Sequence, residues 1–506
     1  MQPSNRIIVN TAAGYVRTLL NLFLSLYSVR LVLDILGESD YGIYMLIGGV
    51  VSMLSFFTTS LIGSTQRFLS VSQGEGDMEK TRSVFRDSLL VHIVLGLLVV
   101  VVLEAIVPLL FNGFLNIPAG RTGAAVTLYQ LVVVMIVISF IAAPYRALLV
   151  SRENIVYTSV VDVLIGVVKV LLVLLLPYIT WDKLVGYGYV MLILSVIEIL
   201  SFSLYGHARY PECRLPRIRS FNRGYAGRLA SFSGWLTFNL LSVMVRNQGL
   251  AVILNRFLGT VVNAAYGLSI QISSMIGVVG GSLAYATTPQ MMAAEGAGNR
   301  DRMWLLATLQ SKFSFLLVSF VGIPTMFVMQ PLLELWLGKG NVPQYTVMFA
   351  CMFVVMQTID MLASGVFDAN KAMGKVRKFI FWTSMPNILV LPFCWLATYL
   401  RLPVATTGLL MVLTAVAYTL LRLLLTRMAS GFNLGAYCRE VILKPLPPVA
   451  VSLAACVAWT WIPDFPASFL LIYVLSMPLF ALMAFRWSLS EKEKEKVKSM
   501  LSRIIR

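Results

Sequence analysis

The sequence predicts an all-α polytopic membrane protein of about fourteen transmembrane helices, built as two parallel-repeat lobes of six helices with two extra helices at the C-terminal end. Three observations carry this. Of 506 residues, 58% are hydrophobic and only 12% are charged, and the mean hydropathy is +0.82. That is too little charge to cover a soluble chain of this length. Apolar runs of about 20 residues, enough to cross a bilayer, recur from end to end. One stretch of sequence also repeats at a fixed offset.

The expected spans are 8–33, 41–66, 87–112, 123–148, 153–178, 184–207, 229–256, 260–290, 304–330, 345–368, 377–400, 404–427, 444–463 and 467–488. The start, MQPSNRIIVNTAAGY, has no small-residue cleavage pattern after a short apolar core, so it reads as leading into an uncleaved first span. With connections numbered alternately from the N-terminus, one side collects about 30 of the 40 Lys and Arg residues. The other side collects Arg121, Lys183, Arg256, Lys339 and Arg401. This asymmetry predicts that both termini are cytoplasmic. It also accounts for the formal net charge of +17 without a nucleic-acid partner. The basic segment RYPECRLPRIRSFNRGYAGR and the tail EKEKEKVKSMLSRIIR read as topology signals that meet lipid headgroups.

The repeat appears at an offset of 222 residues. LGESDYGIY (36–44) falls on LGTVVNAAY (258–266), and Leu36, Gly37, Tyr44, Ser60, Leu61, Thr65, Gly74 and Gly76 match Leu258, Gly259, Tyr266, Ser282, Leu283, Thr287, Gly296 and Gly298. Six helices per lobe is an even number, so the lobes share one orientation and are related about the membrane normal. The expected division is an N-lobe at 1–208, a basic linker at 209–228, a C-lobe at 229–428, two further helices within 444–488 and a basic tail at 489–506. Pro144, Pro289 and Pro324 lie in or beside spans, where they can bend helices.

No enzyme or metal chemistry is expected. There is no P-loop, no Ser/His/Asp or Cys/His set, and no long loop to house a soluble catalytic domain. The histidines (His92, His207) and cysteines (Cys213, Cys351, Cys394, Cys438, Cys456) are scattered, without a CxxC or a metal-ligand cluster. No catalytic residue, metal or cofactor is therefore assigned.

The informative residues are charges inside spans. A mid-span charge costs about 2.5–3.5 kcal/mol on insertion scales, so it should face the bundle interior or water. In the first span Asn10, Gly14, Arg17, Asn21, Ser25 and Ser28 recur at intervals of three and four and form one polar stripe. Ser231, Trp235, Asn239, Ser242 and Arg246 do the same in the seventh. Asn239 stands where Arg17 stands under the repeat, so the stripe is retained while the charge moves along it. These stripes are expected to face a shared cavity, and its cations to hold an anionic cargo, since a guanidinium matches phosphate oxygens in a two-pronged fashion. Arg17 and Arg246 are the leading candidates, with Lys169 and Lys312 weaker ones. Asn21 and Asn239 would hydrogen-bond sugar hydroxyls. Asp162, Glu198 and Asp360 are candidates for ion coupling, against the alternative that they neutralise cations on neighbouring helices. Arg30 and Asp34 suit an intrahelical pair or snorkelling.

The segment SVRLVLDILGESDYGIYMLIGGVVSMLSFFTTSLIGSTQRFLSVSQGEGD (28–77) resembles the N-terminal signature of the polysaccharide-biosynthesis branch of the multidrug/oligosaccharidyl-lipid/polysaccharide (MOP) exporter superfamily, the Wzx-type O-antigen or capsule flippases. The specific motif covers roughly the first 80 residues; length, helix count and twin-lobe pattern extend the likeness along the chain. The resemblance implies alternating access in the bacterial inner membrane and transfer of an undecaprenyl-diphosphate-linked oligosaccharide. It implies membrane lipids as surroundings and glycan polymerase or chain-length proteins as partners. Two alternatives stand beside it: an ion-coupled multidrug antiporter of the same superfamily, and a membrane-embedded glycan polymerase or transferase.

Overall fold

The computed structural model describes residues 3–111, 117–213, 223–338, 340–461, 468–491 and 493–495. The middle of the basic linker (214–222), residue 339 and the end of the tail (496–506) lie outside the described residues. All regular structure among the described residues is helical. The helices are α1 Pro3–Gly74, α2 Met78–Leu109, α3 Thr122–Ser151, α4 Ile155–Leu175, α5 Lys183–Arg209, α6 Arg223–Gly296, α7 Arg300–Phe327, α8 Met329–Leu337, α9 Thr346–Met361, α10 Ser364–Met373, α11 Val376–Tyr399, α12 Ala405–Ser430, α13 Leu434–Cys438, α14 Leu446–Trp459 and α15 Ser468–Met483.

The chain is a multi-pass membrane protein. By length and hydropathy twelve stretches can cross a membrane, or thirteen when α9 and α10, bent by 46° at their junction, are taken as one span. The expected count of fourteen is thus approximate. The second half of α1, residues 38–74, is helical and stands where the second span was expected.

Two expected loops are not loops. The spans at 8–33 and 41–66 form one helix broken only at Gly37 (φ 75°, ψ 168°), and those at 229–256 and 260–290 form one helix broken only at Gly259 (φ 85°, ψ 179°). Only glycine populates this region without strain, so a single residue redirects each chain. Gly76 and Gly298, again 222 apart, also have positive φ, 78° and 72°. The sequence repeat is therefore matched by a repeat of backbone singularities.

The chain divides into two compact units: residues 1–237 with 292–300, and residues 238–291 with 301–506. In the first, α3 packs on α1, α2 and α5, and α4 lies on α1. Its apolar core includes Leu128, Tyr129, Ile136 and Phe140 towards one end and Phe85, Leu148 and Phe202 towards the other. In the second, α12 packs on α9 and α11, with a core around Tyr266, Phe349, Phe353 and Cys394. Leu97, Val101, Leu171, Val252 and Val474 are exposed, as lipid-facing side chains must be. Among the exposed aromatics, Tyr178, Trp181, Trp336, Tyr399 and Trp461 fall at span ends on the side expected to be external, and Trp382 and Trp487 near span ends on the opposite side, where amphipathic rings anchor at a bilayer interface.

The side of the first unit expected to be external carries a three-way ion pair. Arg121 clamps Asp40, just past the Gly37 break, and Asp182, the N-cap of α5, which also accepts from the N–H groups of Leu184 (2.9 Å) and Val185 (3.2 Å). Burial raises the Asp182 carboxyl, but the hydrogen bonds from Arg121 and the helix N–H groups outweigh it and hold it below the usual carboxylate range. Arg121 is correspondingly raised, chiefly by its hydrogen bond to Asp182.

Candidate functional site

Four helices of the first unit bring their charged residues together. The first half of α1 supplies Arg17, α3 supplies Arg146, α4 supplies Asp162 and Lys169, and α5 supplies Glu198. Arg17 Nη1 lies 3.2 Å from Asp162 Oδ2, and the same oxygen accepts from Arg146 Nη2 at 2.7 Å. Arg146 Nη1 donates to Glu198 Oε1 at 3.0 Å. One guanidinium thus ties two carboxylates, and one carboxylate ties two guanidiniums. The arrangement is half-buried, with 19% of the Arg17 side chain and 14% of Asp162 exposed. In a setting of low dielectric such charge-assisted bonds are strong, and an unpaired member would be costly.

Beside this network is a cavity of about 290 Å³ lined by Asn21, Ser25, Arg146, Asp162, Lys169 and Glu198 among others. Asp162 and Lys169, seven residues apart on α4, share a face. Lys169 is half-buried and makes no ion pair with another described residue. The cluster therefore counts three cations against two carboxylates.

The structure brings together five of the residues expected from sequence: Arg17, Asn21, Asp162, Lys169 and Glu198. Arg146, which links them, was missed. It sits at the end of an expected span, 123–148, where a basic residue reads as a topology signal. The available signal was its spacing from Ser139, Ala142 and Ala143, which puts all four on one face of α3.

The remaining candidates lie in the second unit and are dispersed. Arg246, only 6% exposed, donates to Asn387 Oδ1 at 2.7 Å and to Asn247 Oδ1 at 3.2 Å. Asn239 donates to Ser384 Oγ at 3.0 Å. Asp360, at the α9–α10 bend, pairs with Arg422 of α12 at 2.7 Å. Lys312, expected as a weaker cargo contact, is shut in at 1% exposure, with its ammonium 2.9 Å from Glu493 and 3.7 Å from Glu440. Glu493 also closes a capping box with Ser490, accepting from its N–H at 2.6 Å. Burial raises the Glu493 carboxyl, but these hydrogen bonds leave it below the usual range. Arg30 and Asp34 are exposed and make no ion pair with each other.

Long kinked helices in two compact units define the fold, and solved transporters share it. A solved MOP-superfamily transporter from Pyrococcus furiosus Vc1 (DSM3638), described as having a binding pocket of reversed polarity, is similar with a TM-score of 0.74, 15% identity, and coverage of 86% of this chain and 97% of that one. An outward-facing multidrug resistance MATE family transporter of the same superfamily is similar with a TM-score of 0.73, 15% identity and coverage of 86% and 97%. In fold, then, the chain is similar to membrane transporters of the MOP superfamily. Residues 5–294 match the family "Polysaccharide biosynthesis protein", and the chain belongs to that family. A curated relative, the uncharacterized membrane protein EpsK of Bacillus subtilis (strain 168), is 22% identical over 341 residues, which span 66% of this chain and 66% of that protein's length.

Proposed function

We propose that this protein moves an undecaprenyl-diphosphate-linked oligosaccharide across the bacterial inner membrane by alternating access, with both termini in the cytoplasm. The observation that carries the reading is the excess of cations in the first-unit cluster, above all Lys169, which lines a polar cavity without a carboxylate partner among the described residues. A diphosphate cannot cross about 30 Å of hydrocarbon unaided, and it supplies the anion this cavity lacks. Lys169 meets the headgroup first. Arg17 and Arg146 turn to it from Asp162, and Asn21 and Ser25 complete its hydrogen bonding. Within the second unit, Arg246, buried and hydrogen-bonded to the Asn247 and Asn387 amides, is a further candidate contact. Asp162 and Glu198, and Asp360 in the second unit, are the proposed ion-coupling carboxylates. A drug pump for cations would favour acids free of basic partners, whereas Asp162 and Glu198 both sit on arginines.

The test is leaflet transfer in proteoliposomes of fluorescent undecaprenyl-diphosphate oligosaccharide, followed by accessibility to an external quencher. Wild type should transfer it and Lys169→Ala should not. Transfer of cationic dyes instead, undisturbed by the glycolipid, would favour the antiporter reading.

A further inference from the structure

A second cavity of about 400 Å³ adjoins the first. It lies between the second half of α1, α3 and α5, and its polar lining is Thr58, Thr59, Ser139, Arg146 and Glu198. Arg146 and Glu198 line both cavities, so their ion pair is a wall common to two chambers. The chambers differ in chemistry. The first holds Lys169 and the excess positive charge. The second adds hydroxyls and the apolar Ile62, Ala142 and Ala143 to the paired Arg146 and Glu198.

The second chamber exists because α3 presents small residues. Ser139, Ala142, Ala143 and Arg146 share one helical face, and both alanines border the space. Small residues in membrane helices ordinarily let a neighbour close up. Here α1 answers with Thr58, Thr59 and Ile62, and the gap stays open. Leucine would have filled it without burying a polar atom. Ser139 Oγ donates to the Ile136 carbonyl at 2.7 Å, which leaves its lone pairs for a hydroxyl donor. A threonine hydroxyl both donates and accepts, a carboxylate only accepts, and a guanidinium only donates. Adjacent hydroxyls of a sugar offer a donor and an acceptor side by side, which this mixture can meet. A diphosphate would find no unbalanced cation here.

Resting on the export reading above, we propose that this chamber is the sugar subsite. Thr58, Thr59 and Ser139 read the hydroxyls of the sugar nearest the diphosphate. Arg146, held in place by Glu198, stands at the sugar–phosphate junction and separates the polyol chamber from the cationic one.

Titration of the full-length protein in lipid nanodiscs tests this. The probes are undecaprenyl diphosphate and the same lipid bearing one hexose or one N-acetylhexosamine. Wild type should bind at least one sugar-bearing form about tenfold more tightly than the bare diphosphate, the worth of one or two net hydrogen bonds. Thr58→Val/Thr59→Val/Ser139→Ala should erase that preference and leave bare-diphosphate affinity unchanged. Ala143→Leu, which fills the chamber from α3, should do the same by exclusion and carries the test if the triple variant does not fold. Lys169→Ala should weaken all three lipids alike. A wild type that binds all three lipids equally overturns the subsite and leaves the diphosphate reading standing. So does a triple variant, or an Ala143→Leu variant, that keeps the preference. A wild type that binds none of the three overturns the export reading and the subsite with it.

Discussion

The Arg17–Asp162 ion pair of the first unit and the Asn239–Ser384 hydrogen bond of the second occupy corresponding places. Each partner is offset from its counterpart by 222 residues, the offset of the sequence repeat, and the contacts measure 3.2 and 3.0 Å. About two helical turns further along, the chemistry reverses. Arg246 meets Asn387 in the second unit, whereas Leu24 and Ile165, the corresponding residues of the first, simply border its cavity. The same helix–helix junction can therefore be made with or without a charge at either level. Since each mid-span charge costs about 2.5–3.5 kcal/mol, holding the helices together does not explain why one junction has it and the other lacks it.

The sharpest way to expose the difference is to orphan each junction. Asp162→Asn leaves Arg17 and Arg146 facing an amide. Removing one partner of a buried pair costs roughly 3–5 kcal/mol, and partial exposure puts this case towards the low end. Ser384→Ala should cost only about 1 kcal/mol. Thermal unfolding of the purified variants by tryptophan fluorescence compares them, and equal losses would remove the distinction drawn here.

Transplanting the neutral junction comes next. Arg17→Asn with Asp162→Ser installs the second unit's pair in the first. We expect a folded protein whose melting temperature falls by a few degrees, while glycolipid transfer drops by about 10- to 100-fold, the worth of a lost charge-assisted contact. A collapse of folding with transfer per folded molecule intact would make the ion pair structural.

The breaks offer the opposite control, where the units should agree. Gly37→Ala and Gly259→Ala each force a Cβ into a backbone region suited to glycine, at about 1–2 kcal/mol. The two glycines have φ of 75° and 85° and ψ of 168° and 179°, so the two losses should match. A neutral effect at one of them would show that its kink relaxes.

These contrasts also show which features the sequence could disclose. Spans, side bias and the glycine repeat were legible because hydropathy and local spacing report them directly. The first-unit cluster was legible only as separate residues. Arg17 has no acid one turn away on its own helix, and its partner lies 145 positions on, beyond any helical periodicity. Lys312 was misleading because Glu493 belongs to the tail and not to a span. The polar run around Glu38–Asp40 read as a loop because helical continuation through a single glycine break leaves no mark in composition.

The smallest expected effect lies at the ends expected to be external. Asp40, Arg121 and Asp182 of the first unit correspond, at the same offset, to Val262, Pro343 and Val404 of the second. Asp182 and Val404 even hold the same place, the N-caps of α5 and α12, and Val262 and Val404 belong to one apolar cluster. One unit ties this end with charge and the other with burial. The folded-state pKa of Asp182 is depressed, so its contribution is fully present above the ordinary carboxylate value of about 3.9 and is lost as pH falls through the lower, folded-state value. Asp182 and Arg121 are each about a third exposed, so solvent screens the effect and it should be local. Amide hydrogen exchange around 118–124 should be the same at pH 7 and pH 5 and should rise once pH falls below the ordinary carboxylate range, with exchange around 344–348 unmoved after correction for intrinsic rates. Asp182→Asn should raise exchange around 118–124 already at pH 7. If acid loosens both ends together, the charged clamp is not what holds the first, and the contrast between the units ends at the membrane interior.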